Sequence, residues 1–208
     1  QISGGIVNSS ITGSIVGKTG IEVNDSSVSG GITNSGLISG QNIGINIRGY
    51  SDVAGIILNN NGGSIVGAPG FGIVIQSGSS VSAISNVGGY INGIVNGGFI
   101  GNPSTAVLIK SGATITGGIT NSGLIQGSAG IVVKNESVVN GGLLNSGSIS
   151  SINIVSGGFF SGGLTNSGTI AGSSKLGLTI GASTIAGGIR NLGSMTGIGV
   201  FSSVITGG

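Results

Sequence analysis

Isoleucine and valine recur in short runs in which every second residue is apolar: Ile-Asn-Ile at 45–47, Ile-Val-Ile at 73–75, Ile-Val-Val at 131–133. A period of two is the signature of a β-strand, and no stripe of period 3.6 competes with it. The runs belong to a larger unit. GGITNSGLISG at 30–40 returns as GGITNSGLIQG at 117–127, with degenerate copies at 4–13, 141–150, 162–172 and 187–197. Each copy is followed by a second half of the form G-I-x-V-x-x-x-S-x-V-x-G, as in GIEVNDSSVSG at 20–30 and GIVVKNESVVNG at 130–141. The combined unit is about 25 residues long, with three short β runs and no helix, which fits one rung of a solenoid.

The pattern predicts an all-β fold, a right-handed parallel β-helix of about eight rungs, roughly triangular in section and occupying residues 1–208 as one domain. In the rung 30–54, Ile32, Ile38, Ile45, Ile47 and Val53 alternate into the core. Thr33, Ser35, Asn46 and Arg48 then face out. Gly30, Gly31, Gly36, Gly40 and Gly44 mark the corners, where positive φ or close backbone approach is expected. A segment of variable length joins the two halves and contains Pro69 and Pro103. It predicts a loop edge along one side of the rod. One long interval, from Asn60 to Asn96, places an insertion of about ten residues near 84–93. Both chain ends match the end of a repeat. The expectation is a slice of a longer solenoid or, as the alternative, a unit that stacks end to end.

Composition narrows the function more than the fold. Glycine accounts for 48 of 208 residues, charged residues for 5% and aromatics for 3%. With 38% apolar residues the chain is not of the disordered class, and without a strict three-residue glycine period it is not collagen. Histidine and cysteine are absent, which removes disulfides, thiolate and imidazole ligands, and the commonest nucleophile–base pairs. Ten charged side chains with net charge +2 are too sparse for a nucleic-acid face. No apolar stretch is long enough to cross a membrane as a helix. No cofactor is implied.

The pattern I-x-V-x-x-G-S-x-V-x-G-G-I-x-N-S-G-x-I-x-G, clearest in AVLIKSGATITGGITNSGLIQG at 106–127 and GLTIGASTIAGGIRNLG at 177–193, resembles the passenger domains of Gram-negative autotransporters. The resemblance covers essentially the whole chain. It implies a right-handed β-helix on the bacterial surface or in the medium, acting as an adhesin or aggregation factor. The family has no shared catalytic residues on its helical stem. Its translocating barrel and signal peptide are not in this sequence.

Four sets of residues are candidates for chemistry. An asparagine column, Asn8, Asn34, Asn60, Asn96, Asn121, Asn145, Asn166 and Asn191, is expected to stack as a structural ladder of side-chain amides. Arg48, Lys110 and Lys134 fall at one register position and could contact an anion or an acidic glycan. Tyr90, in the expected insertion, is a candidate lateral contact. Asp25 and Asp52 sit on adjacent rungs, yet they lack the tuning residues that glycoside hydrolysis needs and the six or more oxygens that calcium prefers. The five phenylalanines read as core or corner packing. The expectation is therefore a non-enzymatic structural stem, extracellular or on the cell surface. Its partners would be other copies of the rod, end-to-end or lateral, or a host or cell-surface glycan or protein. A self-assembling filament subunit is the first alternative and a carbohydrate-active β-helix enzyme the second.

Overall fold

The computed structural model describes residues 1–67, 70–88, 90–92, 105–172 and 175–207. They form a parallel β-solenoid of about seven turns with no helix. One repeat shows how a rung is laid out. Ile119–Asn121 is followed by Leu124–Gln126, Ala129–Lys134 and Val138–Val139, and then Leu143–Asn145 begins the next rung directly above the first. Ile119, Thr120 and Asn121 pair in register with Leu143, Leu144 and Asn145, and these in turn with Leu164, Thr165 and Asn166. Every pairing among the described strands is parallel, as stacking of equal units requires.

The strands join into two bent sheets of fourteen strands each, linked through the long strands of the early rungs. The reason lies at two corners of the early rungs. Ser14–Asn24 and Leu37–Arg48 run as unbroken strands through the segment expected to be a loop edge, absorbing the corner as a register shift between Gly17 and Thr19. Asp52–Asn59 does the same at a second corner, with a shift between Val53 and Ile56. In later rungs these corners sharpen and the strands separate, as between Leu124–Gln126 and Ala129–Lys134.

The core is one column of β-branched layers. Ile32, Ile38, Ile45, Ile47 and Val53 are all fully buried, as the alternation predicts. Phe160 takes a core position in the column of Val53 further along the rod, whereas Phe201 is exposed and Phe159 half-buried. Phe99 lies outside the described residues. Asn46 faces out as expected, in register with Val74 on the next rung, but it is covered there rather than open to solvent. It is buried, and its Oδ1 accepts a hydrogen bond from Nε2 of Gln76 on the next rung at 3.2 Å. Beside it Val74, Leu108 and Val132 stack on the outer side of the sheet, forming a second apolar cluster with Ile43, Phe71 and Ala129.

Glycine acts at the corners by close approach more than by conformation. A Cβ on Gly31 would lie 2.2 Å from the carbonyl oxygen of Ile56, so only glycine lets the neighbouring rung in. In later rungs the second glycine of this corner also has positive φ, at Gly118, Gly142, Gly163 and Gly188, while a different corner carries positive φ on other residues as well: Asp25, Tyr50, Ser77, Ser111, Asn135, Glu136, Ser156, Ala182 and Ser202.

The insertion is displaced from its expected place. Ile84, Ser85 and Asn86 pair in register with Ile119, Thr120 and Asn121, and Tyr90–Asn92 pairs with Leu124–Gln126, so 84–92 belongs to an ordinary rung. From Asn92 to the equivalent of Phe71, namely Thr105, the chain takes 13 residues, where the rung below takes five from Val66. The surplus falls on 93–104, outside the described residues. The misplacement came from counting to Asn96.

Candidate functional site

The asparagine ladder is continuous. Nδ2 of each member donates to Oδ1 of the next: Asn8 to Asn34 at 2.8 Å, Asn34 to Asn59 at 2.8 Å, Asn59 to Asn86 at 2.9 Å and Asn86 to Asn121 at 2.8 Å. It continues from Asn121 to Asn145 at 2.8 Å, then to Asn166 and Asn191 at 2.7 Å each. The same amide groups also donate to local carbonyls, as Asn34 does to Gly36 at 2.8 Å, so a buried amide finds partners above, below and beside it. Two expected members are corrected. Asn59, not Asn60, occupies the ladder, because Ile57-Leu58-Asn59 keeps the alternation of Ile32-Thr33-Asn34. Asn60 turns out of the column and donates to Oγ of Ser35 at 3.1 Å. Asn86 fills the place expected for Asn96, which lies outside the described residues.

A second ladder was not anticipated. Ser26, Ser51, Ser79, Ala113, Ser137, Gly158, Ser183 and Ser203 occupy one corner, just past the positive-φ residues. The backbone N–H of Ser26 donates to Oγ of Ser51 at 3.2 Å, that of Ser51 to Ser79 at 3.0 Å, and that of Ala113 to Ser137 at 3.2 Å. Ser183 donates likewise to Ser203 at 3.1 Å. Ser51, Ser79 and Ser137 are fully buried. The signal was present in the recurrent serine two residues before the inward Val or Ile, but hydroxyls at turns are commonplace and single ones carry no pattern.

Most of the charged residues lie near the positive-φ corner; Lys18, Lys175 and Arg190 lie elsewhere. Register places Asn24, Arg48, Gln76, Lys110, Lys134, Val155 and Gly181 in one column, as the spacing predicts. Arg48 is not an open cation. Its Nε donates to Oε1 of Glu22 at 2.6 Å in an exposed pair, of the kind that contributes little to stability. Lys110 and Lys134 stand on successive rungs, half-buried along their stems. Asp25 and Asp52 share an open notch with Gln1, Ser26, Ser27, Gly49 and Tyr50. Oγ of Ser80 donates to Oδ1 of Asp52. Among the described residues no group of three or more acidic, His or Cys side chains could hold a metal ion. The backbone of Tyr90 pairs with Ser64 and Leu124, and its side chain lies outside the described residues.

No protein-family model, curated protein or solved structure matches the chain. No helix is long and apolar enough to cross a membrane among the described residues. What the geometry itself offers is a rod with two internal hydrogen-bond ladders and a charged outer corner.

Proposed function

We propose that this chain is a structural stem of a bacterial fibre, secreted or held at the cell surface, in the manner of an autotransporter-type adhesin. Its work is presentation and contact rather than catalysis. The observation that carries the reading is the unbroken amide ladder. Seven successive donations tie each rung to the next, so bending the rod costs buried hydrogen bonds at every step. A stiff, sparsely charged rod suits holding a binding corner away from a surface. The repeat pattern supplies the family reading, and Lys110 and Lys134 supply cations for an acidic glycan or protein partner. The test is adhesion of beads coated with the purified chain to bacterial and epithelial cells. Clumping or attachment above that of beads coated with an unrelated β-solenoid is the expected result. Equal retention of the two bead types refutes the adhesive role.

The last rung favours a second reading. Ile198, Val200 and Ile205 are 47%, 46% and 39% exposed, while Leu178, Ile180 and Ile185 beneath them are fully buried. Another β-solenoid rung would cover them, either a continuation of the same chain or a second copy stacked end to end as in a filament. Electron microscopy of the isolated chain separates the two: continuous filaments for stacking, separate short rods for a stem.

A further inference from the structure

The rung that contains Asn59 has a longer corner than the rung below. From Asn59 to Ser64 the chain takes five residues, where the rung below takes three from Asn34 to Leu37. The surplus forms a turn, closed by the backbone N–H of Gly63 donating to the carbonyl of Asn60 at 2.9 Å. Asn61 and Gly62 stand at its tip, both exposed. Gly62 has φ +83°, which glycine adopts without strain. Neither the Asn61 side chain nor the Gly62 N–H has a hydrogen-bond partner among the described residues. The Asn61 side chain lies against Gly88 of the next rung, where a Cβ would stand 3.2 Å from its Oδ1, so the bare Cα leaves it room. A second Asn-Gly step, Asn140–Gly141, is held differently. The N–H of Asn140 donates to the carbonyl of Ile115 at 2.9 Å, and its own carbonyl accepts from Oγ of Ser161. Gly141 packs so tightly on the rung below that a Cβ would lie 2.4 Å from the Gly117 carbonyl. Asn121, Asn145 and Asn166 precede serines, and their amides are committed to the ladder.

We infer that Asn61–Gly62 is a site of spontaneous covalent modification, at which the side-chain amide is lost through a succinimide. A base in the solvent takes the proton of the Gly62 N–H. The Gly62 nitrogen attacks Cγ of Asn61 within the same dipeptide, and the new N–Cγ bond closes an imide ring. The Cγ–Nδ2 bond breaks, and Nδ2 leaves as ammonia on taking a proton from solvent. Water then opens the ring at either carbonyl, leaving aspartate or isoaspartate. Ring closure requires rotation of the main chain between Asn61 and Gly62, which an exposed turn tip permits at little cost. At Asn140 the same rotation would pull its carbonyl from Ser161 and drive Gly141 against Gly117. The modification adds a negative charge to a sparsely charged rod. Through isoaspartate it also lengthens the turn that presents the Gly63 carbonyl to Nδ2 of the ladder residue Asn59, 3.1 Å away. The site goes beyond the stem reading and does not depend on it.

The test is incubation of the whole folded chain at mildly alkaline pH, with samples digested by pepsin in acid and mapped by peptide mass spectrometry. Asn61 should convert first, to two products of equal mass that elute apart. Its rate should rise with pH, because the Gly62 nitrogen attacks once deprotonated. Asn140 should convert at least about ten-fold more slowly, since its corner must first open. In concentrated urea that difference should vanish, which separates the effect of the folded corner from that of the sequence around it. Asn61→Gln, whose extra methylene disfavours ring closure, should leave the position unmodified over the same period. The site is overturned if Asn140 or a ladder asparagine converts as fast as Asn61 in the folded chain. It is equally overturned if Asn61 stays intact in the folded chain while the chain in urea loses the Asn61 amide. Neither outcome touches the adhesion of coated beads.

Discussion

A single asparagine carries an unequal share of this fold. Asn121 accepts from Asn86 and donates to Asn145, and its side chain is fully buried. Asn121→Leu therefore orphans one donor below and one acceptor above. Each orphan costs about 1–3 kcal/mol, so we expect a loss of about 2–5 kcal/mol by denaturant unfolding. Asn60→Ala, outside the ladder, should change stability by less than about 1 kcal/mol. The same comparison made on Asn59→Ala should give a large loss, and equal losses at 59 and 60 would contradict the assigned register. Phe160 offers a second residue-scale test. It is the largest fully buried side chain among the described residues, and Phe160→Ala should cost about 3–5 kcal/mol through the cavity it leaves. The inward set, Ile32 to Val53, was legible from alternation alone, because a one-residue slip would have turned every one of them to solvent. Asn60 was misread because three asparagines stand in a row at 59–61, and counting a period does not say which of them alternates with Ile57.

At the scale of elements, the corners decide what is tolerated. Gly31→Val should destabilise strongly, because its side chain would be driven into the Ile56 carbonyl of the next rung. Gly112 has φ +72° but open space around it, so Gly112→Asn should be nearly neutral. Thermal unfolding of the two variants checks this contrast, and similar melting temperatures would show that close packing at the corner is not what fixes the glycine. The serine ladder also belongs to this scale. It tolerates Ala113 and Gly158 within its own column, so it acts as a reinforcement rather than a requirement. That tolerance is why it was not legible: a column interrupted twice shows no strict residue pattern. In the first two rungs the loop edge was misjudged for a related reason. Variable length suggested a loop, yet a strand can absorb extra residues as a bulge without leaving the sheet, as Gly17–Thr19 does.

For the whole molecule, the modular plan predicts which deletions survive. Leu143 and Leu164 occupy equivalent places, so removing 143–163 deletes one complete rung and brings Asn121 to Asn166. Such a chain should fold to a shorter rod with both ladders intact, because each rung touches only its neighbours. Removing 143–152 should not, since the register of every later strand would be lost. Circular dichroism and protease resistance separate the two outcomes. The central claim, that residues one period apart lie directly over one another and are tied through their amides, is most directly tested by NMR of the side-chain amide protons. The account predicts that the Asn121 side-chain amide exchanges slowly with solvent and shows cross-relaxation to Asn145 and to Asn86. Rapid exchange, or cross-relaxation to residues placed as in an antiparallel hairpin, would contradict it.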